Sequence, residues 1–237
     1  MSSAPEKLAR VKDGWLQLAF HILRKEEREL ALLATIDLGP QDYFERIAQL
    51  IKKREKRGFA IVYEELQGLP GVGQEEDEEI QQLKQTAMAG LQQHGFAYLG
   101  DVVRPEDYWT KVPVDDGDSN AQATSVVRNE LAQALRAISA DPEATVQALG
   151  AFPLRKELYD LFSPSQPDVA KQRSARVAAA ILEQAARYHV FALIGLDRMA
   201  SVIDAVAAEG YHIVQDQWMD VMAAGADRGE GATPQNE

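Results

Sequence analysis

Two short stretches, far apart in the chain, carry the residue types from which a chemical site could be built. The first reads Leu32-Leu33-Ala34-Thr35-Ile36-Asp37-Leu38-Gly39-Pro40 and is followed, after a helix-like segment, by Val62-Tyr63-Glu64-Glu65. The second reads Ala192-Leu193-Ile194-Gly195-Leu196-Asp197-Arg198-Met199 and leads on to Gly210-Tyr211. If the two meet in space, Asp37, Glu64, Glu65, Asp197 and Arg198 form one cluster. Carboxylate oxygens suit a hard divalent cation such as Mg²⁺ or Mn²⁺, and a hydrolytic metal needs about three ligands plus an open position for water. On that reading Asp37, Glu64 and Asp197 are the ligands. Arg198 opposes it, because a guanidinium stays charged and offers only donors. The other chemistry is an internal ion pair, with Arg198 in the cation's place and bound to Asp37 or Glu64. Such a pair holds a fold together and hydrolyses nothing.

Plainer readings stand beside these. Glu64-Glu65 can be an ordinary strand end, and Asp197 a helix N-cap. Arg173, on a later helix, is either an anchor to the cluster or an exposed side chain. His21, His94, His189 and His212 show no metal-ligand spacing and read as packing or capping residues. Trp15, Trp109 and Trp218 read as core or rim aromatics. Gly68-Leu69-Pro70-Gly71-Val72-Gly73 lacks the Lys-Ser/Thr of a phosphate loop.

The elements that must position these groups follow from periodicity. Trp15–Arg24 alternates, with Leu16, Leu18, Phe20 and Ile22 on one side, the pattern of a half-buried strand. After the polar turn Lys25–Arg28, Glu29–Ile36 is an apolar run suited to a strand covered on both faces. The two make a hairpin. Gly39-Pro40 breaks the strand, Gln41–Arg57 carries a helical stripe (Tyr43, Phe44, Ile47, Leu50, Ile51), Gly58 stops it, and Phe59–Tyr63 is β-prone. Strand–helix–strand of this length implies a right-handed crossover to a parallel neighbour. The run Lys52–Arg57 reads as a solvated helix cap. Gln67–Glu79 is rich in glycine and acids and reads as a loop. Helices are expected over Glu79–Gln93, Thr124–Ser139, Pro142–Leu149, Leu154–Phe162 and Asp168–Tyr188, with a short strand at Phe96–Leu99 and a polar connection over Val112–Ala123. A strand Val190–Ile194, a helix Arg198–Ala208, a strand Tyr211–Val214 and a helical turn Trp218–Met222 complete the chain.

These elements predict an α/β fold: a mixed sheet built from N- and C-terminal strands, with a central helical insertion over about 67–167. The whole of 1–222 is expected to be one domain, followed by a flexible tail, 223–237. The chain has 237 residues and a formal net charge of −12, and it contains no cysteine. The charge excludes an extended nucleic-acid-binding surface and adhesion to anionic lipid. Absence of cysteine excludes disulfides and thiol chemistry. No apolar run approaches the roughly 18 residues of a membrane span, and the opening residues carry no secretory signal, so a cytoplasmic setting is expected.

The segments around 34–65 and 173–218 resemble the TraB/GumN family, whose animal relatives are the Tiki membrane proteases. There a strand ends in Gly-Thr-x-His and the next ends in a paired glutamate. An Arg-Asn helix follows, and then a strand ending in Gly-x-x-His, a helix and a Gly-Tyr strand. Here Ala34-Thr35-Ile36-Asp37, Tyr63-Glu64-Glu65, Arg173-Ser174, Gly195-Leu196-Asp197-Arg198 and Gly210-Tyr211 occupy those positions, and Gly100-Asp101-Val102-Val103 is a weaker echo. The resemblance implies a peptidase ancestry with a divalent metal held by the two histidines and a glutamate. This chain has Asp37 and Arg198 where the family has those histidines. It is therefore expected to be a catalytically degenerate member without a cofactor. Its expected role is to bind an unidentified protein partner as a regulatory or structural component, with self-association as a further option. The competing expectations are a Mn- or Mg-dependent peptidase using carboxylate ligands, and a small-molecule pocket that kept the old cleft.

Overall fold

The structure, a computed structural model, describes residues 8–64, 78–113, 125–150 and 167–223. Glu65, most of the Gln67–Glu79 loop, the Leu154–Phe162 helix and the tail from 224 onward lie outside these residues. The chain order is β1 (Ala9–Lys12), β2 (Trp15–Lys25), β3 (Arg28–Thr35), β4 (Leu38–Pro40), α1 (Gln41–Glu55) and β5 (Phe59–Glu64). A middle section follows, with α2 (Glu78–Gln93), β6 (Phe96–Tyr98), α3 (Leu99–Val102), β7 (Thr110–Val112), α4 (Ser125–Ala140) and α5 (Pro142–Gly150). The chain closes with α6 (Pro167–Ala185), β8 (His189–Gly195), α7 (Met199–Ala208) and β9 (His212–Ala223).

The fold class is the expected one, a mixed α/β sheet assembled from both ends of the chain. β3, β8, β5 and β7 run parallel in that lateral order. β2 is antiparallel to β3, and β9 is antiparallel to β2 along nearly all its length. A strand has two edges, so β1 (pairing at Trp15–Leu18) and β3 (pairing at Phe20–Lys25) share the one that β9 leaves. The β3–α1–β5 crossover is present, but its strands are not neighbours, because the late strand β8 inserts between them. Right-handed crossovers place α1 on one face, and α6 with α7, which travel back across the sheet, on the other. Unbroken burial from Glu29 to Thr35 in β3 and from Val190 to Ile194 in β8 is what two covered faces require.

Several expectations are corrected. Trp218–Met222 is not helical; it continues β9, whose pairing with β2 shifts register between Leu16 and Gln17. Hydrogen bonding to a long free edge outweighs the weak local preference of Trp-Met-Asp-Val-Met. β2 is not half-buried, since every residue from Leu18 to Leu23 is buried. Gly39-Pro40 does not end strand structure, because Leu38–Pro40 pairs with β6 in a separate two-stranded sheet. The middle section is mainly helical, as expected, with the short strand at Phe96–Tyr98; it adds β7 to the main sheet, while α2, α4 and α5 gather around a second core of Ala87, Leu91, Phe96, Ala132, Leu135 and Ile138. The basic run is not wholly solvated. Arg54 is buried, donates to Glu29 at 2.9 Å and lies over the rings of Phe20 and Phe59.

Candidate functional site

The carboxyl ends of β3, β8 and β5 finish side by side, and each ends on or near a residue of the expected cluster. Thr35 closes β3, and its hydroxyl donates to the Ile194 carbonyl at 3.2 Å. The Leu196 N–H donates to the Thr35 carbonyl at 2.9 Å, which ties the turn after β8 to β3. Glu64 is the last residue of β5, and Gly195 the last of β8. Their joint position at the end of a parallel sheet, where the chain's order across the sheet reverses, is where open α/β folds place their sites.

Arg198 lies at the centre. Its Nε stands 2.5 Å from Glu64 Oε1, and its Nη1 donates to Asp197 Oδ2 at 2.7 Å. Side-chain exposure is 17% for Arg198, 8% for Glu64 and 14% for Asp197, so one guanidinium offsets part of the charge of two carboxylates largely away from water. The Nε contact is an ion pair without an aligned hydrogen bond, and that N–H meets no acceptor in line among the described residues. The other oxygen of Glu64 accepts from the Gly195 N–H at 2.8 Å. Gly195 is needed for close approach: a methyl group there would overlap the Arg198 guanidinium and crowd Asp197 Oδ1. Burial alone would lower the pKa of Arg198, but the carboxylates of Glu64, Asp197 and Asp37 outweigh it and raise the value.

Asp37 makes no ion pair among the described residues. It sits in the bend after β3, its carbonyl accepting from the Leu99 N–H at 2.8 Å. Displacement of water by surrounding protein pushes its carboxyl up to about 6; Arg198 lowers it, and Glu64 and Asp197 raise it. Much of the Asp37 surface is nevertheless exposed, so solvent screens part of that shift, and the upward direction is what the geometry sustains. Burial, then Asp101 and Asp37, raise the pKa of Tyr98 across the small sheet.

The structure thus joins Glu64, Asp197 and Arg198 directly and brings Asp37 within electrostatic reach. The pairing is with Glu64 rather than Asp37. Arg173 is half-buried on α6 and is not among the charges that shift Asp37 or Arg198. Asp197 is not the N-cap of α7; that position is Arg198, with no side-chain cap. Tyr98 escapes residue-type reasoning, whereas Thr35 and Gly195 enter it only as members of the two motif-like stretches. The resident divalent metal that the family resemblance implies does not fit this donor set. A guanidinium occupies the space among the carboxylates, and no group of three or more His, Asp or Glu among the described residues is arranged to hold an ion. Two surface hollows among the described residues, about 420 and 530 Å³, flank Trp15 at the α1–β9 side and are not lined by the cluster.

Compared with known proteins, the chain matches no family model, no curated protein and no solved structure.

Proposed function

We propose that this chain acts by binding, as a catalytically degenerate TraB/GumN-like protein that serves as a regulatory or structural component of an assembly. One observation carries the reading. The position at the strand ends where a hydrolase of this ancestry would hold its cation contains the Arg198 guanidinium, bound to Glu64 and Asp197 at 2.5 and 2.7 Å. A fixed positive charge there repels a divalent ion by several kcal/mol at about 4 Å and intermediate dielectric. It also consumes the carboxylates that would serve as ligands or as general base. What remains is an internally ion-paired strand end, suited to support a surface rather than to activate water.

The test is a calorimetric titration of Mn²⁺ and Mg²⁺ into the purified protein, paired with a fluorogenic peptide-hydrolysis screen in both metals. No saturable binding at micromolar metal and no chelator-sensitive hydrolysis are expected. Stoichiometric metal uptake with hydrolysis that chelator abolishes would overturn the proposal in favour of a carboxylate-liganded peptidase.

A further inference from the structure

At the β9 edge of the sheet an aromatic side chain stands in solvent beside hollows of its own scale. Asp13-Gly14, both at positive φ, turn the chain between β1 and β2, and Trp15 opens β2 opposite Lys12. Trp15 is 44% exposed and makes no ring or cation contact among the described residues. Trp218, on the same side, already has the Arg10 guanidinium over its ring at 4.0 Å. Trp15 lines both surface hollows: the one of about 420 Å³ with Phe20, Leu50 and Met219, and the one of about 530 Å³ with Pro40, Phe96 and Met222. Val11, on the same hairpin, is also exposed.

Charges around this patch stand close to balance, although the chain as a whole carries −12. Arg10, Lys12 and Arg46 face Asp13, Asp42, Glu45 and Asp220. Most of these already have partners in the fold. Arg46 binds Asp42 at 2.9 Å, and Gln17 joins Arg10 and Asp220 at 2.7 and 2.6 Å. Lys12 and Glu45 are exposed and make no ion pair among the described residues. They carry opposite signs and border the same tryptophan, Lys12 across the hairpin and Glu45 along the larger hollow.

We propose that this patch is the contact between two copies of the chain related by a two-fold axis. Trp15 of each copy sits in a hollow of the other, and Lys12 of each meets Glu45 of the other. A two-fold contact presents one surface twice, so that surface must hold both halves of every interaction. This one does: a projecting ring and a hollow, an unpaired base and an unpaired acid. An unlike partner would require only one half of each here. Local balance of charge also limits the repulsion that two acidic chains would otherwise set against association. The β9 residues that border the hollows, Gln217–Ala223, span roughly 23 Å at about 3.3 Å per residue, comparable with one side of a standard interface of about 800 Å² per partner. The inference supplies a partner for the binding role proposed above and rests on it only in taking the chain to act by binding. The Arg198 cluster does not line this patch, so a monomer here and uptake of metal there are separate results.

The experiment is sedimentation equilibrium of the full chain over a concentration series. A reversible monomer–dimer equilibrium is expected. Trp15→Glu should weaken the dimer about tenfold or more. Lys12→Glu and Glu45→Lys should each weaken it about fivefold, and the two together should recover most of that loss. Tyr188→Ala, at an exposed aromatic just before β8, should leave it unchanged. Thermal melts check that every variant folds; if Trp15→Glu does not, the exposed charge pair decides. A chain that stays monomeric leaves the hollows to its own tail or to an unlike protein and overturns the proposal. So does a dimer indifferent to Trp15→Glu, one weakened as much by Tyr188→Ala, or a charge swap without recovery.

Discussion

Removing the Arg198 guanidinium should expose how much of the fold depends on it. Arg198→Ala leaves Glu64 and Asp197, both largely buried, without their cation. At an effective dielectric near 20, unit charges about 4 Å apart attract by roughly 4 kcal/mol. Stranding a buried carboxylate costs about 3–5 kcal/mol, and for a chain of this size each kcal/mol lowers Tm by roughly 2–4 °C. A fall of about 10 °C is therefore expected. Glu64→Gln keeps an oxygen to accept the Gly195 N–H while deleting the charge. Alone it should cost about 2 kcal/mol; on the Arg198→Ala background it should restore part of the stability, because one of the two stranded charges is gone. Urea unfolding of the four proteins at pH 7, followed by far-ultraviolet circular dichroism, reads the cycle. Losses that add within about 0.5 kcal/mol, or an Arg198→Ala loss below about 1 kcal/mol, would refute the coupling.

Gly195→Ala should displace the guanidinium and cost about 1–3 kcal/mol, and less on the Arg198→Ala background, where only Asp197 Oδ1 still crowds the methyl group. Equal costs in both backgrounds would show that the glycine serves the backbone alone. Asp37 binds its proton more tightly folded, at about 6, than at its ordinary 3.8, so its ionisation destabilises the fold progressively as pH rises through that window. Asp37→Asn should flatten stability between those values and, with exposure discounting the shift, gain about 1 kcal/mol at neutral pH; an unchanged pH profile counts against the burial. Arg54→Ala should cost about 1.5–3 kcal/mol by leaving Glu29 to Arg24 alone and uncovering Phe20 and Phe59, whereas exposed Lys52→Ala should stay within about 0.5 kcal/mol in the same melts.

What the sequence made legible was set by local signals. The apolar runs at Glu29–Ile36 and Val190–Ile194, the helical stripe of α1 and its stop at Gly58 gave correct elements because burial on both faces or on one stripe leaves a clear pattern. Glu64, Asp197 and Arg198 were legible because each ends such a run. The insertion of β8 between β3 and β5 was not legible, since strand order depends on pairing across more than a hundred residues. Asp13-Gly14, both at positive φ, is a two-residue hairpin signal, but the polar residues before it hide β1. β9 was read in part only, because its residues are mostly exposed and β2 supplies the order that they lack. The burial of Arg54 was unreadable in a run of bases; only the position of Glu29 on β3 makes one of them an interior partner.

The most direct measurement is a crystal structure of the protein grown with Mn²⁺, with anomalous scattering recorded above the manganese edge. The expected map has no peak among Asp37, Glu64 and Asp197, and it shows the arginine side chain seated between the last two. A manganese peak ligated by those oxygens, with Arg198 turned outward, would contradict the reading that the chain has replaced a bound ion with one of its own residues.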